Sequence, residues 1–148
     1  MNIKSQLLEL CTKYADKRVL GYKNEIELIK ESIENNDKVS NEEDDSGNSK
    51  LLDDLEKNMN YLNDANKMRE QLKLVRPNLV SDNVVLGSLV KTDSITFYIA
   101  LSLGKVEVEG SEYYIISLAS PLGQLLKNRK KEDQFNFNDK SYVIKDVL

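Results

Sequence analysis

The sequence has no histidine, a single cysteine and no tryptophan. A zinc site made of cysteine and histidine is therefore excluded, and so is a nucleophile activated by histidine. No disulfide can form within the chain. A metal site has to be a hard-cation site on carboxylates, which suits Mg²⁺, Mn²⁺ or Ca²⁺. We expect Cys11 to be a small apolar residue packed within a helix.

Long apolar runs and an excess of basic residues are also missing. The longest apolar stretches, residues 97–103 and 113–119, have about seven residues each, whereas a membrane-spanning helix needs about 20. The first residues carry charge and lack a long apolar core, so we expect no signal peptide. The net charge of −4 argues against general affinity for a nucleic-acid backbone. These features predict a cytoplasmic protein that does not contact membranes.

Proline is absent from residues 1–76, where apolar residues recur in steps of three and four. This spacing predicts two helices, each with one apolar stripe. An irregular step between Tyr14 and Tyr22 predicts a local break in the first stripe. The first stripe comprises Ile3, Leu7, Leu10, Tyr14, Tyr22, Ile26, Ile29 and Ile33, and the second comprises Leu52, Leu55, Met59, Leu62, Ala65, Met68, Leu72 and Val75.

Residues 35–49, between the two stripes, are polar and show no periodicity. Neither stripe can be buried alone, so the simplest arrangement is an antiparallel hairpin in which each stripe covers the other. The second helix, with about 26 residues, would be roughly 40 Å long. We therefore predict a helical hairpin, or coiled coil, over residues 1–76, with its tip at about 37–49.

The pattern changes after Arg76-Pro77, because the residue before a proline disfavours helical backbone. Beyond this point the residues alternate or become β-branched and aromatic, which is typical of strands. Ser120-Pro121 predicts the cap of a short helix that runs to Leu126. The chain is therefore predicted to be an α+β protein with a small antiparallel β domain and one short helix over residues 77–148. The predicted strands are 84–90, 95–101, 105–108, 113–118, 135–137 and 142–147.

Negative charge is concentrated around the predicted tip. Residues 31–56 contain ten acids against two lysines, a net charge of −8 within a chain of −4. A solvated loop explains such a run without any function. The functional interpretation is a displayed carboxylate pair that binds a divalent cation once a partner completes the site. The consecutive acids are Glu42, Glu43, Asp44 and Asp45.

Several motifs of the second half occur together in one known family. Residues 116–123 read I-S-L-A-S-P-L-G, residues 83–90 contain Gly-Ser before an apolar residue, and residues 142–147 read Y-V-I-K-D-V. In order and spacing these runs resemble the C-terminal domain of bacterial Gre transcription elongation factors, which carry I-S-x-x-S-P-L-G and a closing Y-x-I-x-x-I. Residues 133–137 are similar to the G-D-x-V-x-V strand of that family, with Glu132 in the place of its glycine. The resemblance covers about 65 residues, and the hairpin before them has the same architecture.

The resemblance implies an FKBP-like fold for the β domain and RNA polymerase as the partner. In that family the hairpin enters the secondary channel of the polymerase, where it contacts the nascent RNA indirectly, and the β domain docks at the channel mouth. The docking loop would be Ser120, Pro121, Leu122 and Gly123. Acids at the tip assist a Mg²⁺ ion shared with the polymerase, whose own active site then cleaves the backtracked transcript. The chain itself would be a monomer and no enzyme.

The tip departs from the G-D-x-x-E-N pattern of that family. Asp44 matches its aspartate and Asn48 its asparagine, but Gly47 stands at the glutamate position. Asp45 and Glu43 are the other candidate carboxylates for the metal. Two functions therefore follow from the resemblance: a factor that stimulates transcript cleavage, or a channel-binding regulator without cleavage activity.

Two alternatives belong to other classes of protein. An FKBP-like prolyl isomerase or chaperone would need an aromatic-lined pocket, and although aromatic residues such as Phe97 and Tyr113 exist, they alternate along strands. A plain coiled-coil module would use the hairpin to dimerise, which sedimentation would distinguish from a monomer.

Overall fold

The computed structural model describes residues 2–39 and 46–148. Two long helices, α1 (Ile3–Val39) and α2 (Ser46–Lys73), precede the strands. The strands are β1 (Leu89–Thr92), β2 (Thr96–Ala100), β3 (Gly104–Val108), β4 (Ser111–Ser117), β5 (Gln134–Phe137) and β6 (Lys140–Val147), and a short helix, α3 (Pro121–Leu126), follows β4. Among the described residues, no helix combines the length and the apolar character needed to cross a membrane.

The chain divides into two compact units. One unit contains residues 1–13 and 71–148, and the other contains residues 14–70. This division cuts through both long helices, whereas the predicted boundary at residues 76 and 77 follows the change of secondary structure. The first unit is called the β unit below, and the second is called the hairpin unit.

In the hairpin unit the two helices run antiparallel. Asp16 of α1 lies 3.7 Å from Arg69 of α2, measured from carboxylate oxygen to guanidinium nitrogen. The rings of Tyr22 and Tyr61 are 5.5 Å apart between centroids, and further along, Asp37 accepts a hydrogen bond from Asn48. As residue numbers rise along α1, those of the partners on α2 fall, which is the register of an antiparallel hairpin.

The buried side of α1 differs from the predicted stripe in its middle. Ala15 and Val19 are buried between Tyr14 and Tyr22, so the buried side of α1 continues there without the break predicted in the stripe. In the hairpin unit the buried series runs through Ala15, Val19, Ile26 and Ile29, with Tyr22 half-buried. The apolar pattern misled because it favoured large side chains, whereas small alanine can occupy a buried position without leaving a gap.

The stripe predicted on α2 is also partly wrong. Ala65 is buried, as expected, but Leu52 and Met59 are each more than half exposed. Leu55 of the predicted stripe is half-buried, as are Leu51 and Asn58, which the stripe does not include. The inward side of α2 near Leu52 and Met59 is therefore shifted toward Leu51 and Asn58. The Asn58 amide is compatible with this position because it donates to the carbonyl of Asp54, 2.8 Å away, on its own helix.

The β unit contains a sheet with the order β3-β4-β2-β1-β6-β5 among its described strands. Neighbouring strands pair antiparallel except β2 and β4, which are parallel. The predicted α+β class is confirmed, with a helical hairpin followed by a sheet and a short helix, although the sheet is mixed rather than purely antiparallel. The likeness to an FKBP fold stays a prediction. The core comprises Val84, Val90, Phe97, Ile99, Leu126, Phe135, Tyr142, Ile144 and Val147.

The first predicted strand, residues 84–90, is the clearest correction in the β unit. Strand β1 begins only at Leu89, because the chain turns at Gly87, whose φ is +90°. Ser88 closes this turn: its hydroxyl accepts from the amide of Val85 at 3.0 Å. Val84 is still fully buried, but its main chain pairs with Asn128 and Arg129 instead of with a strand.

Candidate functional site

The acids predicted to assist a metal ion, Glu43, Asp44 and Asp45, lie outside the described residues. What the structure describes are the helix ends on either side of them. Within the described residues no group of three or more metal-ligating side chains occurs. The Mg²⁺ site therefore stays a prediction.

A hydrogen-bonded cluster joins the two helix ends that flank residues 40–45. The Asn48 amide donates to Oδ1 of Asp37 at 2.8 Å. Its carbonyl oxygen accepts from the Asn36 amide at 3.3 Å. One asparagine thus uses both ends of its side chain to connect α2 with α1. Asn48 occupies the asparagine position of the Gre-like tip pattern, so the structure assigns that position a local bridging contact.

The charge of this part of the hairpin unit is strongly negative and largely exposed. Glu31, Asp37, Asp53 and Glu56 are all exposed, and Asp54 is half-buried. Repulsion among these carboxylates is reduced by solvent because they are exposed. The described acids therefore form a charged surface rather than a fixed cage of ligands.

The second predicted site, Ser120 to Gly123, is a tightly bonded helix start in the β unit. The Ser120 hydroxyl accepts from the amide of Gly123 at 3.0 Å and donates to the carbonyl of Ser117 at 2.7 Å. Pro121 occupies the first turn, where a missing amide hydrogen costs nothing. The predicted cap at Ser120 and the predicted helix to Leu126 are both present.

Gly123 is required here by space. A Cβ atom built on it would lie 2.1 Å from the carbonyl oxygen of Ser117 and 2.8 Å from that of Leu118. Both neighbours are main-chain atoms at the end of β4, so they cannot move aside as a flexible side chain could. The glycine lets α3 pack directly against the strand that precedes it.

Of the four predicted docking residues, only Pro121 is exposed. Gly123 is buried, the Ser120 hydroxyl is engaged within the loop, and Leu122 packs against the core. The other exposed residues of this loop are Ala119 and Gln124. A partner that docks here would therefore contact Ala119, Pro121 and Gln124, which together are called the α3 loop face below.

A basic segment directly after α3 was missed at the sequence level. Lys127, Lys130 and Lys131 are exposed, while Arg129 is half-buried and donates to the main-chain carbonyl of Gln134 at 3.1 Å. Four cations within five residues are conspicuous in an acidic chain, and this local charge run could have been recognised. It places positive charge on the chain segment that follows the α3 loop face.

Cys11 lies in the β unit and is fully buried beside Tyr98. Burial raises the pKa of the Cys11 thiol to about 12, although the thiol bonds to the main chain of Leu101. A neutral buried thiol is a poor nucleophile. The expectation that Cys11 packs as a small apolar residue agrees with this environment.

Comparison with known proteins gives similarity at the level of structure only. No protein-family model matches the sequence, and no curated protein matches it significantly. Six chains of solved structures match, and the three described here are similar over nearly the whole chain. The transcription factor Gfh1 is 12% identical, covers 93% of this chain and 92% of its own, and has a TM-score of 0.41.

The other two structures are of the same kind. Gfh1 of Thermus aquaticus is 14% identical, with 94% of each chain covered and a TM-score of 0.39. The GreA factor homolog 1 (Gfh1) protein of Thermus thermophilus is 14% identical, covers 93% of this chain and 94% of its own, and has a TM-score of 0.36. Superposition at these scores is loose, so the fold is assigned from the helices and the strand pairing of this chain itself.

Proposed function

We propose that this chain is a Gre-like transcription elongation factor that binds RNA polymerase through its secondary channel. The observation that carries the proposal is the antiparallel hairpin, whose end next to residues 40–45 carries exposed acids. An antiparallel pair of helices can enter a narrow channel, because its backbone hydrogen bonds are satisfied within each helix. The motifs of the β unit resemble the Gre family independently of the hairpin.

In its first form, the proposal is that the factor stimulates cleavage of backtracked transcripts. Asp44 and Asp45, with Glu43, would supply carboxylate oxygens toward the second Mg²⁺ of the polymerase. Two-metal phosphodiester hydrolysis needs such oxygens to hold the metal and to orient the attacking water. The polymerase would remain the enzyme, and this chain would contribute ligands and position.

A second form is favoured by Gly47. The family glutamate is replaced here by a residue without a side chain, and Asn48 is engaged with Asp37. A hairpin with fewer available ligands would still occupy the channel. It would then regulate elongation by competing with other channel ligands, without accelerating cleavage.

One experiment separates the two forms. A backtracked elongation complex with labelled RNA is mixed with Mg²⁺ and the wild-type chain, or with a variant carrying Asp44→Ala and Asp45→Ala. The matched control carries Asp53→Ala and Asp54→Ala, which removes the same charge from an adjacent pair on α2. Cleavage that only the 44/45 variant loses would support the first form.

The remaining outcomes are equally informative. Wild-type chain that leaves RNA uncut but slows the cleavage stimulated by an authentic Gre factor would support the second form. Equal loss in both double variants would mean that overall negative charge matters, not a specific carboxylate pair. Failure of the wild-type chain to bind core polymerase at micromolar concentration would overturn both forms.

A further inference from the structure

The β unit contains a cavity that the proposed function does not use. It has a volume of about 370 Å³ and lies among the first turn of α1, the chain that follows α2, and the turn before β1. Its lining includes two cations, Lys4 and Arg76, and no acid. The remaining lining is mostly aliphatic, with Ser81 and Ser88 as its uncharged polar side chains.

Lys4 is an unusual lining residue because it is almost fully buried, with 7% of its surface exposed. Its ammonium group donates to the carbonyl of Leu79 at 2.9 Å, the one hydrogen bond described for this side chain. An ammonium group has three donors, so two are left to face the cavity or solvent. Burial lowers the pKa of Lys4, as expected for a cation that has lost water without gaining a counter-charge.

Exposed apolar side chains surround the opening of the cavity. Leu74, Leu79 and Val80 are each more than 60% exposed, and Val85 is 39% exposed. All four line this one cavity, and a group of exposed apolar side chains at one place is typical of a binding surface for another molecule. They are called the apolar rim below.

The floor of the cavity is held in place by main-chain contacts. The Gly87 amide donates to the carbonyl of Ile99 at 2.7 Å, and Ser88 fixes the turn through its bond to Val85. A Cβ atom on Gly87 would come within 2.9 Å of a methyl carbon of Val75, so the floor and wall are in close contact. A cavity fixed in this way is preformed and does not need to be ordered by its ligand.

We propose that this cavity binds a carboxylate side chain from an acidic, apolar segment of a partner protein. The carboxylate pairs with Lys4, whose uncompensated charge it neutralises, and Arg76 adds attraction at the edge. Apolar residues next to the carboxylate cover the rim at Leu79 and Val80. A protein segment is favoured over a small carboxylate because a ligand that only fills the cavity would leave the apolar rim exposed. This inference is independent of polymerase binding.

The test is a titration of the full-length ¹⁵N-labelled chain with two peptides, followed by NMR. The probes are acetyl-Leu-Glu-Leu-Leu-amide and its neutral glutamine counterpart. We expect the first to shift the amide signals of Gly87 and Ser88. We also expect it to bind at least about 10-fold more tightly than the glutamine peptide, since it adds a charge-assisted bond to a buried cation.

Variants assign the effect to the cavity. Lys4→Met keeps a long unbranched side chain, one atom shorter than lysine, but removes the charge, so it should abolish the preference for glutamate over glutamine. Lys13→Met, at an exposed lysine on the same helix, is the matched control and should retain that preference. Leu79→Ser with Val80→Ser, at positions that are each more than 60% exposed, should weaken binding of both peptides several-fold.

Four outcomes would overturn the proposal. Equal affinity of the wild-type chain for the two peptides would show that the cavity does not recognise a carboxylate. If the amide signals of Gly87 and Ser88 do not shift at up to about 10 mM peptide, the peptide does not bind in this cavity. A carboxylate peptide held by a preformed cationic cavity should bind in the millimolar range. Octanoate that binds more tightly than the glutamate peptide would indicate a small-molecule site. Self-association in sedimentation that Leu79→Ser with Val80→Ser abolishes would indicate a second copy as the occupant.

Discussion

The close packing of Gly123 against β4 allows one substitution to be worked out in magnitude. In Gly123→Ala the new methyl group would start 2.1 Å from the Ser117 carbonyl oxygen, where ordinary contact begins at 3.4 Å. The strand end would have to retreat by about 1.3 Å, the difference between these distances. The same carbonyl accepts from the Ser120 hydroxyl at 2.7 Å, so the retreat also breaks the hydrogen bond that holds the capping serine against β4.

These effects combine into a measurable loss of stability. Overpacking costs about 1–3 kcal/mol, and loss of the hydrogen bond from Ser120 to Ser117 costs about 1 kcal/mol. Alanine in place of glycine within a helix returns about 1 kcal/mol. We therefore expect Gly123→Ala to lower the free energy of unfolding by about 2 kcal/mol, which is about 6 °C in melting temperature for a chain of this size.

Differential scanning calorimetry of the intact chain provides the assay, and Gly21→Ala provides the control. Gly21 lies within α1, and a Cβ atom there would meet no atom within 4 Å. The control should raise the melting temperature by about 2 °C, since it gains helix propensity without a clash. A Gly123→Ala protein that melts at or above the wild-type temperature would refute the packing described for α3.

Three further predictions concern the buried thiol, the flanking asparagine and the α3 loop face. The pKa of Cys11 rises from 9.0 to about 12 on folding, so above pH 9 the unfolded chain loses a proton that the folded chain keeps. The free energy of unfolding measured in urea should therefore fall from pH 9 upward, and Cys11→Ala should reduce that fall. Asn48→Asp would place a second carboxylate beside Asp37, so amide hydrogen exchange at the adjoining helix ends should accelerate more than in Asn48→Ala; equal rates would contradict the described contact. Pro121→Glu should weaken polymerase binding about 10-fold with little change in melting temperature, whereas the charge-matched Gln134→Glu should bind normally; unchanged binding in Pro121→Glu would exclude the loop face.

Sequence periodicity predicted the existence of the helices and strands more accurately than it predicted which of their side chains are buried. Ile26 and Ile29 were assigned to the buried side of α1 because large apolar residues dominate a stripe. Ala15 was not, since its small side chain contributes little to a hydrophobic pattern. On α2, Met59 fits the helical spacing and is nevertheless exposed, because the side chains of α1 also determine which side of α2 is buried. The periodicity of one helix carries no information about the side chains of the helix that packs against it.

The corrections in the β unit have a different physical origin. Residues 84–88 have strand-like composition, but Gly87 adopts a backbone conformation that interrupts a strand, and the Ser88 hydroxyl stabilises the resulting turn. The parallel pairing of β2 with β4 could not be predicted from the sequence either, because side chains alternate between the two faces of a strand in parallel and antiparallel pairs alike. The cavity beside Lys4 was not predicted either, since its lining comes from three separate segments of the chain.

The residues that produced the family resemblance and the residues that could contact a partner are largely different sets. Ser120 and Gly123 are explained by a helix cap and by close packing on β4, and any chain that builds this corner needs them whether or not it binds polymerase. Their presence therefore supports the fold of the β unit more strongly than its function. The functional information has to reside in side chains that a partner can reach. On the α3 loop face these are Pro121 and Gln124, which are exposed, although the Gln124 amide also donates to the carbonyl of Leu118 at 2.8 Å. The acids at 43–45 are the other candidates from the sequence. A chain that kept the corner and lost those side chains would still resemble the family, which is why binding and cleavage have to be measured separately.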